Sequence, residues 1–277
     1  MKNGLYVVAT PIGNLADISA RATEVLNEAD IIACEDTRVT RKLFTLLNLN
    51  AAKPFITYQD HNEEQQAQKL IDQIKDGQTI ALVSDAGSPL ISDPGYKLIR
   101  RCREQEIKVW TVPGCCAVIS ALQLSGLPTN RFMFAGFIPN KDKARGDLFN
   151  ELKSINSTLV FYETAPRIIK SLTAAGEIFG NREMAVAREI TKLYEECLNG
   201  SAESLIRHFE TNEPKGEMVL MVAPPVEDEK QNVDIEALLR EKLMRQPLKT
   251  AVKELVETYK LNKNDVYALA LKIKDEN

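Results

Sequence analysis

The sequence predicts an α/β fold of two lobes followed by a small C-terminal helical extension. Three observations carry that expectation. Short apolar runs of strand length alternate with helix-patterned segments. The runs end in turns rich in glycine, proline and hydroxyl residues. Beyond a Pro224-Pro225 pair the pattern is helical only.

The elements follow in order. Leu5-Tyr6-Val7-Val8-Ala9 is an apolar run ending at Thr10-Pro11-Ile12-Gly13-Asn14, and Ile31-Ile32-Ala33-Cys34 is a second. Thr79-Ile80-Ala81-Leu82-Val83 ends at Ser84-Asp85-Ala86-Gly87, and Val109-Trp110-Thr111-Val112 ends at Pro113-Gly114. Helical patterns lie between them, for example Arg21 to Ala29 and Glu63 to Lys75. Such alternation implies βαβ units and a mainly parallel sheet. Ser125-Gly126-Leu127-Pro128-Thr129-Asn130 is dense in turn formers and places a lobe boundary, giving an N-terminal lobe over residues 1–126. A second lobe over 127–224 carries strands near Phe132–Ala135, Thr158–Tyr162, Met184–Ala187 and Met218–Val222, with helices between the first three. Residues 225–277 read as an exposed linker containing Glu227-Asp228-Glu229, then helices. In those helices Leu248, Val252, Leu255 and Val256, and then Val266, Leu269, Ala270 and Ile273, recur at helix-face spacing. No internal repeat is evident.

Composition narrows the function. With 277 residues and 44% hydrophobic content the chain can bury a sizeable core. No stretch is apolar for long enough to span a bilayer, and Met1-Lys2-Asn3-Gly4 leads into a strand without the apolar run of a signal peptide. The expectation is a cytoplasmic protein with no membrane association. Five cysteines, Cys34, Cys102, Cys115, Cys116 and Cys197, form no Cys-x-x-Cys pair and leave an odd count. They read as small, buried, reduced side chains rather than a disulfide framework or a zinc site. His61 and His208 are too few for a histidine metal cluster, so no metal is expected. The net charge of −4 weighs against a nucleic-acid footprint spread over the whole surface; a basic surface here must be local.

The chemistry-bearing signal sits at the strand ends. The longest loop runs Ser84-Asp85-Ala86-Gly87-Ser88-Pro89-Leu90-Ile91-Ser92-Asp93-Pro94-Gly95 and leads into a helix. Open α/β sheets bind ligands outside the carboxyl ends of their strands. The loop offers carboxylates to ribose hydroxyls or an ammonium group, and backbone groups to an adenine edge; the alternative is an ordinary connecting turn. Neither Gly-x-Gly-x-x-Gly nor a Walker loop is present.

An ordered set of motifs runs along the chain: Ala9-Thr10-Pro11-Ile12-Gly13-Asn14-Leu15 with Asp17-Ile18-Ser19 and Arg21, Glu35-Asp36-Thr37-Arg38, His61-Asn62-Glu63, and the Ser84–Gly95 loop. Pro113-Gly114, Ser125-Gly126-Leu127-Pro128, Gly136-Phe137-Ile138-Pro139 with Lys141, Phe161-Tyr162-Glu163, Arg188-Glu189-Ile190-Thr191-Lys192 and Lys215-Gly216-Glu217 continue it. Each motif alone is weak, but the ordered set is specific, and it resembles the RsmI family of 16S rRNA (cytidine-2'-O)-methyltransferases. The match spans roughly residues 4–223 in unbroken order. Two departures stand out. Cys115-Cys116-Ala117 replaces the family's usual Pro-Ser-Ala, and Thr164-Ala165-Pro166-Arg167 replaces Ser-Pro-His-Arg, removing a histidine.

The resemblance implies a tetrapyrrole-methylase-like two-lobed α/β fold, a homodimer, and S-adenosylmethionine as cofactor in a cleft between the lobes. By position it implies that Asp85, Ala86, Gly87 and Ser88 line the methionine and ribose portions. Pro11 then lies beneath the cofactor and Cys116-Ala117 beside it, with Tyr162, Ala187 and Gly216 closing the adenine side. Without the resemblance, Pro11, Tyr162 and Ala187 read as core packing. Two polar clusters are candidates for activating a ribose hydroxyl or holding phosphate: Glu35, Asp36 and Arg38, and Arg188, Glu189 and Lys192. Each reads equally as a surface ion-pair set. His61 is a candidate RNA or catalytic contact, or a helix cap. The implied substrate is 16S rRNA or the small ribosomal subunit. Two alternatives remain: methylation of a tetrapyrrole or corrin precursor, and a non-catalytic RNA-binding module of ribosome assembly. Between Arg240 and Lys274 nine basic residues face four acidic ones, a local net of +5 that suits rRNA phosphates or a plain solvated face. The basic set is Arg240, Lys242, Arg245, Lys249, Lys253, Lys260, Lys263, Lys272 and Lys274.

Overall fold

The computed structural model describes residues 1–59, 61–225, 235–259 and 262–275. They divide into two compact units, Met1–Pro225 and Val226–Asn277.

In the first unit, β1 (Gly4–Val8), β2 (Ile31–Cys34), β3 (Phe55–Thr57), β4 (Thr79–Val83) and β5 (Val109–Val112) form a wholly parallel sheet in the order β3-β2-β4-β1-β5. The connecting helices are α1 (Ala20–Glu28), α2 (Thr37–Leu46), α3 (Glu63–Lys75) and α4 (Tyr96–Glu104), and α5 (Ala117–Ser125) follows β5. Every residue of β2 and β4 is buried, as expected of parallel strands covered on both faces. Strand periodicity sorts their side chains. Leu5, Ile31, Ala33, Ile80 and Leu82 pack with Leu70, Ile71 and Leu98 of α3 and α4, whereas Tyr6, Val8, Ile32, Cys34, Ala81 and Val83 pack with Val25, Leu26 and Phe44 of α1 and α2.

A second sheet contains β6 (Phe132–Phe137), β7 (Thr158–Thr164), β8 (Met184–Arg188), β9 (Glu196–Gly200) and β10 (Glu217–Val222) in the order β6-β7-β10-β8-β9. Helices α6 (Asp142–Leu152), α7 (Ile168–Phe179) and α8 (Ala202–Thr211) accompany it. Only the β6–β7 pair is parallel. The mainly parallel sheet expected of the first half is found there, and the second sheet is mainly antiparallel. Neighbouring strands β6 and β7 are joined by a helix, which permits a parallel crossover. The chain instead leaves β8 through a short loop and returns as β9, and such a connection forces antiparallel pairing. Helix α5 ends at Gly126, whose φ of 65° is the left-handed helix stop that glycine supplies. It then packs Val118, Ala121 and Leu122 on Val160, Ala185, Ala187, Val219 and Met221 of the second sheet.

Strands β3 and β9 have no counterpart in the sequence reading. Both are edge strands. One is three residues long behind Pro54, and the other, Glu-Cys-Leu-Asn-Gly, has no apolar run. The cysteines also differ from expectation: Cys34 and Cys102 are buried, while Cys115, Cys116 and Cys197 are half-buried. All five are free thiols.

The second unit contains α9 (Ile235–Leu243), α10 (Leu248–Tyr259) and α11 (Lys263–Asp275). Leu239, Ala251, Val252, Leu255, Val266, Ala270 and Ile273 form its core, with Leu248, Val256 and Leu269 packed at the margin. The helix-face spacing read from the sequence thus generates a small core of its own. Arg240, Lys242 and Arg245 pair with Glu236, Glu254 and Glu241. The linker acids Glu227, Asp228 and Glu229, together with Lys260 and the side chain of Glu257, lie outside the described residues.

One buried carboxylate governs how the long loop after β4 ends. Glu63, at the start of α3, is 5% exposed. It accepts the backbone N–H groups of Gly95 at 3.1 Å and Lys97 at 3.0 Å. A carboxylate there satisfies donors that the first turn of α4 leaves open and suits the positive end of that helix. Removing it should cost about 1–3 kcal/mol, because buried donors lose their acceptor. Glu63→Ala is expected to lower the urea midpoint clearly more than Glu63→Gln, which keeps an acceptor; equal losses would place the stabilisation elsewhere.

Candidate functional site

The carboxyl ends of the strands meet in a cleft of about 360 Å³. Its making begins with a backbone clasp. Thr10 N–H donates to Gly87 O at 2.8 Å, and Gly87 N–H returns a bond to Thr10 O at 3.1 Å. This joins the turn after β1 to the loop after β4. Ser88 Oγ donates to Cys115 O at 2.9 Å, tying the same loop to the segment after β5. Within the loop Leu90 and Ser92 hold φ values of 72° and 67°. Non-glycine residues rarely adopt this region, and such strain concentrates at ligand sites.

Asp85, Ala86, Gly87, Ser88, Cys116, Ala117 and Tyr162 line the cleft. Pro11, Ala187 and Gly216 do not; each is adjacent to the lining rather than part of it. Ile12 takes the place next to Pro11. Ala187 is fully buried and packs under Tyr162 and Val219. Gly216 precedes Glu217 and has a φ of 80°; a Cβ there would come within 2.8 Å of Glu189 Oε1.

The two polar clusters are split. Glu35 lines the cleft, while Asp36 and Arg38 lie outside the lining and bind each other. Asp36 caps α2 by accepting Arg38 N–H at 2.8 Å, and the Arg38 guanidinium meets its carboxylate at 2.7 Å. The Arg38 side chain is 90% exposed. Its hydrogen bonds hold the Asp36 carboxyl down at about 2. Asp36 also donates its backbone N–H to Asp85 Oδ1 at 3.1 Å. Burial by the cleft walls outweighs that bond and raises the Asp85 carboxyl above its ordinary value. In the other cluster Glu189 and Lys192 line the cleft and pair at 2.9 Å, whereas Arg188 turns outside the lining to Glu196 at 2.6 Å. His61 is exposed at the start of α3 and is not among the lining residues.

Electrostatically the cleft is lopsided. Among the described lining residues, six are acidic, namely Glu35, Asp85, Asp93, Glu163, Glu189 and Glu217, and one, Lys192, is basic. Glu163 is fully buried and paired with Arg167 at 3.0 Å. Pro166 stands where the resembling family has its histidine. There, residues Ala165–Arg167 form a 3-10 turn that brings Arg167 back onto Glu163. Ile12, Ile190, Met218 and Val219 give the lining its apolar part. Tyr162 stands beside it, edge-on to Phe134 and Phe137 at 4.8 and 5.3 Å, and burial raises its hydroxyl well above the usual tyrosine range. Sequence reading did not single out Phe137, Met218 or Val219 as site residues, because they look like ordinary strand residues. Glycine neighbours were the available signal: Phe137 follows Gly136, and Glu217 follows Gly216.

Comparison with known proteins places this geometry. The family described as Tetrapyrrole (Corrin/Porphyrin) Methylases matches residues 4–206, and the RsmI C-terminal HTH domain matches residues 229–274. The ribosomal RNA small subunit methyltransferase I of Erythrobacter litoralis is 49% identical over 271 residues, covering 98% of this chain and 95% of that protein. The protein of the same name from Rickettsia prowazekii is 40% identical over 277 residues, covering 99% and 98%. Among solved structures, a diphthine synthase superposes with a TM-score of 0.62 at 15% identity, covering 79% of this chain and 89% of that one. The cobalt precorrin-4 methyltransferase CbiF gives 0.55 at 14%, covering 79% and 94%. These structural likenesses speak for the fold alone. The chain belongs to the ribosomal RNA small subunit methyltransferase I family, built on the tetrapyrrole methylase fold.

Proposed function

We propose that this chain methylates the ribose 2'-hydroxyl of a cytidine in 16S rRNA, with S-adenosylmethionine as donor, in the cytoplasm where ribosomes assemble. The names of its relatives support the class of reaction. The observation that carries the donor is the lining itself: Glu35, Asp85, Asp93 and Glu217, beside the ion-paired Glu163 and Glu189, together with the apolar Ile12, Met218 and Val219. That suits a ligand bearing a sulfonium, an ammonium and an adenine ring. A polycarboxylate tetrapyrrole precursor would instead bring like charge into the cleft.

When bound, the donor supplies a methyl group already activated by its positive sulfur. The chain's residues then have to hold, align and deprotonate. Asp85 and Glu35 at the ends of β4 and β2 offer carboxylates to the ligand's polar groups. Asp36 positions Asp85 through its backbone N–H, and in this reading Asp36 and Arg38 act as support. Ile12, Met218 and Val219 seat the ring and exclude water. Holding reactants in line accounts for about 7–11 kcal/mol of barrier reduction in favourable cases. Glu189 is the group placed to take the ribose proton. Lys192 orients its carboxylate, and Gly216 leaves room for it. Arg188 holds the loop through Glu196.

The extension is proposed to contact rRNA phosphates through Lys249, Lys263, Lys272 and Lys274, which project to solvent. A homodimer is proposed to form over an apolar groove that includes Val118, Ile119, Phe132 and Phe134, since Ile119 and Phe132 are 45% and 43% exposed. Light scattering should return a dimer mass for the wild type and a monomer for Phe132→Glu; a wild-type monomer at micromolar concentration would remove the dimer.

Two further experiments test the reading. With labelled donor and 30S particles, the full chain should place one methyl on a cytidine ribose. A chain lacking residues 227–277 should keep its donor affinity and lose rate, the loss shrinking as salt rises. Absence of ribose methylation by the full chain would contradict the proposal. Asp85→Asn should weaken donor binding at least about tenfold, in line with the ~1.5–3 kcal/mol of a hydrogen bond to a charged group. Because burial raises the Asp85 carboxyl, its charge opposes folding at neutral pH, and this cost fades as pH falls. The variant should therefore melt no lower than wild type at pH 7, and its donor affinity should lose the wild type's decline toward acid. Unchanged affinity in calorimetry would refute the role of Asp85.

A further inference from the structure

The loop between β8 and β9 does more than deliver Glu189 and Lys192 to the cleft. At its tip Leu193 is 88% and Tyr194 71% exposed, and Leu193 is the most exposed large apolar side chain among the described residues. Exposure of this degree in a mobile turn would be unremarkable, but this turn is built rigidly. Glu189 and Thr191 hold left-handed φ values of 49° and 64° without being glycine. Thr191 N–H donates to Glu195 Oε2 at 2.6 Å, Lys192 N–H to Glu189 O at 3.0 Å, and Glu195 N–H to Lys192 O at 3.2 Å. Across the cleft Asn14 N–H donates to Thr191 Oγ1 at 3.1 Å. Strained backbone persists only where surroundings over-determine it, and it collects at functional sites. Here the strain and the bonds present an aromatic ring and an isobutyl group to water, directly beside two cleft residues.

Charge decides what such a tip can meet. The neighbouring acids are engaged within the protein: Glu195 by Thr191 N–H, Glu196 by Arg188 and Glu189 by Lys192. A neutral, planar, π-rich partner fits that surface, and a phosphate does not. Unpaired nucleobases are of this class. They stack on aromatic side chains once splayed from a strand, and the interaction is worth enough to matter on a single ring.

We propose that Leu193 and Tyr194 form a stacking platform for an unpaired base adjoining the methylated nucleoside, so that the ribose enters beside Glu189 and Lys192 while its neighbour rests on the loop tip. This rests on the proposed RNA substrate. Stacking is the specificity element here: it requires a single-stranded segment and does not read sequence.

The test is steady-state methylation of 30S particles by wild type, Tyr194→Ala, Tyr194→Phe and Leu193→Ala, with donor affinity measured by calorimetry. Tyr194→Ala should raise the KM for 30S particles about tenfold or more while calorimetric donor affinity stays at the wild-type value. Tyr194→Phe, which keeps the ring, should stay within about twofold of wild type, and Leu193→Ala should fall between. A Tyr194→Ala protein with the wild-type KM overturns the platform while leaving the methyltransferase reading intact. A Tyr194→Phe protein as impaired as Tyr194→Ala assigns the effect to the hydroxyl and also overturns it. If Tyr194→Ala alters the mass in solution, the tip is a subunit contact and the proposal falls. A wild type that transfers no methyl to 30S particles overturns both this proposal and the substrate reading beneath it.

Discussion

The bond from Asn14 N–H to Thr191 Oγ1, with Gly13 beside it, is the constraint on which the cleft depends. A Cβ on Gly13 would lie 2.7 Å from Lys192 Cγ and 3.0 Å from Ile190 O. The turn after β1 therefore has to be bare there for the loop after β8 to reach across. That contact sets a strand end of one sheet against a strand end of the other, and the cleft is the space left between them. The Thr10–Gly87 clasp extends the arrangement to the loop after β4, and Gly216 does for Glu189 what Gly13 does for Lys192. Gly13 is required by what approaches it, and Gly216 both by the approach of Glu189 and by its left-handed φ of 80°.

Charge then separates the tasks of the molecule. The cleft is acidic although the proposed substrate is a polyanion, which is consistent only if the phosphates stay outside and a nucleoside alone enters. The net charge of −4 includes the acids gathered at the cleft. The exposed Lys249, Lys263, Lys272 and Lys274 of the helical extension are the local cations proposed to meet phosphates. A single figure for the whole chain conceals that division.

Much of the fold was legible in the sequence because both faces of the first sheet are covered. β2, β4 and β5 fall on the predicted runs, and α3 on the predicted helix. Edge strands β3 and β9 escaped because half-buried strands need no continuous apolar run. The antiparallel course of the second sheet escaped because direction is set by connection length and pairing, which periodicity does not encode. The prominence of the Ser84–Gly95 loop was legible from its length and polarity, and it contributes Asp85 to Ser88 and Ile91 to Asp93 to the cleft lining. The splitting of the two polar clusters was not: residues adjacent in sequence after a strand point to different sides, so Glu35 faces the cleft and Asp36 the helix it caps. Tyr194 was passed over because an exposed aromatic and a buried one look alike in sequence.

The architecture is proposed to serve a single ribose methylation, and mass spectrometry of 16S rRNA from cells lacking this chain is the decisive measurement. One 2'-O-methyl should be lost from one cytidine, restored by the wild-type chain and not by a Glu189→Ala variant. Unaltered ribose methylation in those cells, or loss of a methyl carried on a base, would contradict it.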